Sequence, residues 1–281
     1  MFRRRRGIVL SELPKYLAKG YGRGEGASYQ PMIHVQDFPS RGWRYREIGI
    51  KTGRQHDYLS SPELKYHYIL DRSEVVLDIR EQFPLLPVQL TLEIAEMCGI
   101  PHPMDKSTKE PFVMTTDFLI KLRQPVGSIE LARTIKLAKD LENKRTIEKF
   151  EIERRFWQAK GIDWGIVTEN EINDDLVENA KWVHKYAGLS SLAPLTHERV
   201  RLIGAELTMM VSTGTGSLNK LAAKCDRKFS LKSGQSLAIA RHLIASRQWV
   251  VDMSKLVHPS ERLILISHSF VELKSKKGAG K

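Results

Sequence analysis

Residues 115–136, TTDFLIKLRQPVGSIELARTIK, constrain the fold more than any other stretch. Two segments of alternating apolar and polar character flank Pro-Val-Gly-Ser, the pattern of a β-hairpin. If Pro125 to Ser128 form the turn, Gln124 pairs with Ile129 and Asp117 falls directly opposite Lys136. Thr134 then projects from the same face, because strand side chains alternate with a period of two. A register slip of one residue would separate the aspartate from the lysine. The next segment, KDLENKRTIEKFEIERRFWQAKG, places Ile147, Phe150, Phe156 and Trp157 at broadly helical spacing, with Gly161 as its C-terminal stop. IDWGIVT follows as a short strand. Strand, helix, strand implies a crossover, so the chain is read as α/β with a mixed sheet covered by helices.

Upstream, the glycines of KGYGRGEGASYQP suggest loops and tight turns. SSPELKYHYIL opens a helix with a serine cap, Pro62 at the first helical position and an acid, Glu63, in the first turn. EVVLDIREQFPLLP reads as a buried strand running into a proline-ended loop. Downstream, NEINDDLVENAKWVHKYAG looks like a helix leading out of the first domain, and GLSSLAPLTHE is loop-like. HERVRLIGAELTMMVS, GSLNKLAAKCDRKF and SGQSLAIARHLIASRQ read as three amphipathic helices. WVVDMSKLVHPSERLILIS reads as a short hairpin, and three helices followed by a two-stranded wing is the layout of a winged helix. The expected domains are therefore 1–175, with a basic N-terminal arm, and 176–273, before a disordered tail at 274–281.

Charge narrows the partners. The formal net charge is +12, divided as +7 over residues 1–60, −6 over 61–180 and +11 over 181–281. Basic ends around an acidic middle suggest a polyanion held by both ends. No apolar run approaches the roughly 20 residues needed to cross a bilayer, so no membrane is expected. The basic start, MFRRRR, lacks the apolar stretch of a signal peptide. Two cysteines, Cys98 and Cys225, supply neither a disulfide framework nor a cysteine-rich zinc site, and a cytoplasmic protein is expected.

The hairpin pair has a use in chemistry. Hydrolysing a phosphodiester requires stabilised charge on the attacking and leaving oxygens, which Mg²⁺ held by a carboxylate supplies. Mg²⁺ takes oxygen ligands and keeps several waters, so one or two carboxylates suffice. A nearby lysine orients the attacking water or stabilises developing charge. Asp117 and Lys136 fit those roles, with Glu63 as the candidate second acid. Each also has an ordinary structural explanation: Glu63 suits a helix N-terminus in any protein. The nine histidines show no metal-binding spacing, and neither G-x-S-x-G nor a P-loop lysine motif occurs.

At these residues the chain resembles the TnsA family, the endonuclease subunits of heteromeric cut-and-paste transposases. The resemblance rests on GRGEG, YQP, KTGRQH, LSSPEL, VLDIREQFPLLP, MTTDFL, RTIEKFEIERRFW and TENEIN, in that order over roughly residues 18–185. It implies a restriction-endonuclease-like catalytic domain that uses Mg²⁺, with Mn²⁺ as a plausible substitute. Glu63 and Asp117 would be metal ligands and Lys136 would assist catalysis. The family often carries glutamine two residues before this lysine, where this chain has Thr134; the backbone carbonyl of Ile135 is a further candidate ligand, and Glu153 would line the site. The implied activity is cleavage at the 5′ ends of a transposon, beside a separate TnsB-like transposase that cuts the 3′ ends. A TnsC-like ATPase regulator would contact the C-terminal domain, and the complex would act on the bacterial nucleoid. Lys228, Lys232 and Arg241, around the expected recognition helix, are candidate DNA contacts. Two rival readings remain: a stand-alone restriction-type nuclease, and an inactive winged-helix scaffold.

Overall fold

The expected hairpin stands at the centre of a four-stranded sheet. A computed structural model describes residues 7–35 and 45–270, and the chain divides into two units, 1–173 and 174–281. The basic start at residues 1–6 and the tail at 274–281 lie outside the described residues.

In the first unit a short helix, α1 (Leu13–Ala18), leads into the glycine run. Gly20, Gly22, Gly24 and Gly26 all adopt left-handed backbone angles, which accounts for the alternating glycines. At Gly24 a Cβ would also come within 2.6 Å of the Ser28 carbonyl oxygen. Strands β1 (Tyr45–Ile48) and β2 (Gln55–Tyr58) then form a small antiparallel pair that the loop-like composition of this region concealed. Helix α2 (Ser61–Arg72) starts where expected, capped by Ser60, although Pro62 is its second residue and not its first.

The main sheet has the order β3 (Val76–Pro84), β4 (Thr115–Arg123), β5 (Ser128–Ile135), β6 (Asp163–Val167). Its first two pairings are antiparallel and β5 pairs with β6 in parallel, so the sheet is mixed. Two helices sit in the connections: α3 (Val88–Met97), absent from the sequence reading, and α4 (Lys144–Ala159), which makes the crossover from β5 to β6. The core between them is Leu85, Ile94, Leu119, Ala132, Ile152, Phe156 and Trp157. Gly161, just past the end of α4, has φ +68°, the left-handed conformation expected of a helix stop.

The hairpin register differs from expectation by two residues. Arg123 pairs with Ser128 and Phe118 with Arg133, so the turn is Gln124 to Gly127 with Gly127 at φ +80°. Continued one step, this register sets Asp117 across from Thr134, while Lys136 lies one residue beyond the end of β5. A slip of two preserves which side chains share a face, whereas a slip of one would not.

The second unit contains α5 (Asp174–His184), α6 (His197–Thr213), α7 (Leu218–Lys228) and α8 (Gln235–Ala245). Val200, Ile203, Leu207, Leu221, Ile239, Leu243 and Trp249 form its core. The Asp226 carboxylate on α7 accepts from the backbone amides of Gly234 (2.8 Å) and Ser236 (2.7 Å), fastening the start of α8 to α7. Two strands of two residues each, β7 (Trp249–Val250) and β8 (Ser267–His268), pair antiparallel with residues 251–266 between them. The expected short hairpin is thus a minimal ribbon with a long connection. Among the described residues no helix is long and apolar enough to cross a membrane.

Candidate active site

The site begins with a helix cap. Ser60 has extended backbone angles and its hydroxyl oxygen accepts from the Glu63 amide at 3.4 Å. The same hydroxyl donates to the Glu63 carboxylate at 2.6 Å, and the Leu59 amide donates to its other oxygen at 3.1 Å. The acid that the first-turn pattern singled out is thereby folded back over its own helix end, buried to 6% exposure.

Asp117 enters from β4. Its two carboxylate oxygens accept from different elements: the Ile135 amide of β5 at 2.8 Å and the Gln82 side-chain amide of β3 at 3.1 Å. Gln82 also accepts a hydrogen bond from Thr115 at 3.0 Å. Its backbone has φ +48°, a left-handed conformation that side-chain-bearing residues seldom adopt.

That conformation accompanies a break in the sheet. Residues two apart in a regular strand point to the same face. Here Glu81 takes hydrogen bonds from Arg54 and His56, whereas Phe83 lies 6.0 Å from the Trp157 ring of α4. On β4, Phe118 stacks with Tyr58 of β2, whereas Thr116 accepts from the Trp157 indole at 2.6 Å. The alternation breaks at Gln82 and Asp117, on neighbouring strands. Sequence reasoning passed over Gln82; the available signal was the unbroken polar run Arg80, Glu81, Gln82, all buried, in a strand whose one other polar residue is Asp78.

The third acid is Glu153 on α4, 3% exposed. One of its oxygens accepts from the hydroxyls of Thr116 and Thr134 and from the Trp164 indole at 3.0 Å. The Thr134 hydroxyl, 2.5 Å from that oxygen, is therefore committed to Glu153. Lys136, immediately after β5, donates its backbone amide to Val167 at 3.0 Å, and its ammonium lies 3.5 Å from Asp140.

Glu63, Asp117, Thr134, Ile135, Lys136 and Glu153 line a single cleft of about 520 Å³. Lys149 of α4 lines it too and is absent from the sequence reading. Its ammonium is held below the ordinary lysine value by desolvation and then by the charges of Lys136 and Arg145. The acids are shifted the other way. Burial, then the nearby Asp117 charge, pushes Glu63 up to about 8 against the hydrogen bonds of Ser60 and Leu59. Burial likewise carries Glu153 to about 7 despite the Thr116 and Thr134 hydroxyls, and it raises Asp117 despite the Ile135 amide, Gln82 and Lys136. Acidic oxygens crowded until they resist ionisation form a donor set suited to a hard divalent cation, which would let them ionise together.

The candidate DNA contacts are placed differently from one another. Lys228 pairs with Glu206 at 2.6 Å, and the Arg241 guanidinium lies over Trp182 and Tyr186 while donating to the Tyr186 hydroxyl. Lys232 is exposed just before α8.

Two family models match. One, described as TnsA-like endonuclease N terminal, spans residues 73–169 and so includes Gln82, Asp117, Lys136, Lys149 and Glu153. The other, described as TnsA endonuclease C terminal, spans residues 171–253. The transposition protein TnsA of transposon Tn7 from Escherichia coli is 36% identical over 243 residues, covering 84% of this chain and 83% of that protein.

Proposed function

The chain belongs to the TnsA family of transposition endonucleases, and on that premise we propose that it cuts DNA at the 5′ ends of a transposon, using Mg²⁺ held in the cleft of Glu63 and Asp117. The observation that carries this reading is the convergence of three acids with raised proton affinity, Glu63 and Glu153 buried and Asp117 half-buried, on one cleft that also contains Lys136. Glu63, Asp117 and the Ile135 carbonyl are the oxygen donors that would hold the cation. When bound, it would stabilise charge on the oxygens of the phosphate being cut.

The chain's own residues do the rest. Gln82 and the Ile135 amide fix the rotamer of Asp117 from two strands, so its carboxylate is set before substrate arrives. Thr134 serves through Glu153 and not as a ligand in its own right: its hydroxyl donates to that acid. Lys136 orients the attacking water or stabilises the charge that develops on the phosphate. By the same reading the catalytic unit is restriction-endonuclease-like, and the second unit is a winged helix built on α6, α7 and α8 with the β7–β8 ribbon as its wing. A TnsB-like transposase would cut the 3′ ends, and a TnsC-like ATPase would dock on the second unit. Lys232 is the best placed of the three candidate DNA contacts, since Lys228 and Arg241 already have partners within the unit.

A strand-specific assay on end-labelled transposon DNA tests the proposal, with the co-encoded transposase and regulator present. Asp117→Ala is expected to abolish 5′-end cuts and leave 3′-end cuts intact, and omission of Mg²⁺ is expected to stop both. Persistent 5′ cutting by Asp117→Ala would assign the cut to another protein.

A further inference from the structure

We propose that Lys149 grips a backbone phosphate of the DNA next to the bond being cut, making it a substrate-positioning residue distinct from Lys136. The inference rests on the endonuclease reading above and extends it. Helix α4 turns Thr146, Lys149, Phe150 and Glu153 into the cleft, the three- and four-residue spacing of one helical face. Lys149 thus stands one turn before Glu153, with its side chain exposed at the cleft.

What separates it from the neighbouring cations is its lack of a partner. Lys136 has Asp140, and Arg145 has Glu148 at 2.9 Å and the Pro101 carbonyl at 2.6 Å. Among the described residues Lys149 makes no ion pair and no hydrogen bond; the charges of Lys136 and Arg145 act against its ammonium and only that of Glu153, one turn on, favours it. Lys136 and Lys149 line one cleft, and cations brought together repel each other unless an anion joins them. In an enzyme that cuts DNA, the anion at hand is a phosphate. Charge at this position leaves the floor acids to hold the cation, while the rim holds the strand. A lysine on a helix also places its ammonium more firmly than one on a loop.

The test is DNA binding by the full chain, with Ca²⁺ replacing Mg²⁺ so that binding is read apart from cutting. The probe is a labelled duplex carrying one transposon end, titrated at several salt concentrations. Lys149→Gln is expected to make the slope of log K against log salt shallower by about 0.9, one phosphate contact. Lys149→Arg should keep the wild-type slope. So should Lys160→Gln, which removes a charge about 16 Å further along the same helix. Methylphosphonates substituted singly around the cut site then locate the contact: one position should weaken wild type several-fold and leave Lys149→Gln unaffected. An unchanged salt slope in Lys149→Gln, or a methylphosphonate profile identical to wild type, overturns the proposal. Failure of the wild-type chain to hold the duplex removes the phosphate contact assigned to Lys149 and overturns this proposal alone, whereas persistent 5′ cutting by Asp117→Ala in the assay above overturns the endonuclease reading, so the two failures are told apart.

Discussion

Glu63 shows how one side chain is made to serve two purposes. As part of a capping arrangement with Ser60 it supports α2, and as a buried acid beside Asp117 it resists losing its proton. The consequence for stability has a definite sign. Its folded pKa is about 8 against an ordinary 4.5, so between those values the native chain holds a proton that the unfolded chain has released. Stability of the metal-free protein therefore falls as pH rises through this window, and Glu153, at about 7, adds to the fall. Removing the Asp117 charge relieves Glu63. We expect Asp117→Asn, without metal at pH 8, to melt higher than wild type by roughly 3 °C, and the gain to shrink toward pH 5. A melting temperature equal to or below wild type at pH 8 would show that the acids do not repel. Ser60→Ala should have the opposite effect: loss of the cap costs about 1 kcal/mol and removes the hydrogen bond that holds the Glu63 pKa down. Equilibrium denaturation checks that value. Of these residues Glu63, Asp117 and Lys136 were legible as candidates, because a first-turn acid and an acid–lysine hairpin are patterns of local sequence. Lys149 was not, since a lysine on a helix looks the same whether it faces a cleft or solvent.

Among the elements, the pair β3 and β4 does most to place the site. Their alternation breaks at Gln82 and Asp117, and Gln82 accommodates the break with φ +48°. This separates two contributions. Gln82→Gly should leave melting within about 1 °C of wild type, because glycine tolerates the backbone angle that glutamine bears under strain. It should still cut far more slowly, because Asp117 loses a hydrogen bond that sets its rotamer. Gln82→Ala keeps the strain and loses the bond, so it should be both less stable and slow. Equal activity of Gln82→Gly and wild type would remove Gln82 from the positioning role. The helix-terminal signals for α2 and α4 and the alternation in β4 and β5 were readable because each is a short-range pattern. The hairpin register was misread by two residues, because Pro125 suggested the start of the turn while Gly127, at φ +80°, sits at its last position. Helix α3 was hidden behind Pro87, and β1–β2 behind a run of glycine and arginine that favours loops by composition alone. None of those local cues reveals a break in alternation shared by two neighbouring strands.

At the scale of the whole molecule, the sequence resemblance to the TnsA family is borne out by both family models and by the Tn7 protein. The mixed α/β character of the first unit followed from the strand, helix, strand order, and β5 and β6 are indeed parallel. Charge told less: the segment 61–180 is net acidic, yet it supplies Lys136 and Lys149 at the cleft, because net charge over a hundred residues averages away a local cluster. Glu63, beside the charged Asp117, holds a proton until a divalent cation replaces it. The most direct test is calorimetry of Mg²⁺ binding to the full chain in two buffers of different ionisation enthalpy. We predict release of about one proton per binding event at pH 7, falling toward none by pH 9, and loss of the binding heat in Asp117→Asn. Binding at pH 7 with no proton release, or binding undiminished in Asp117→Asn, would contradict the account.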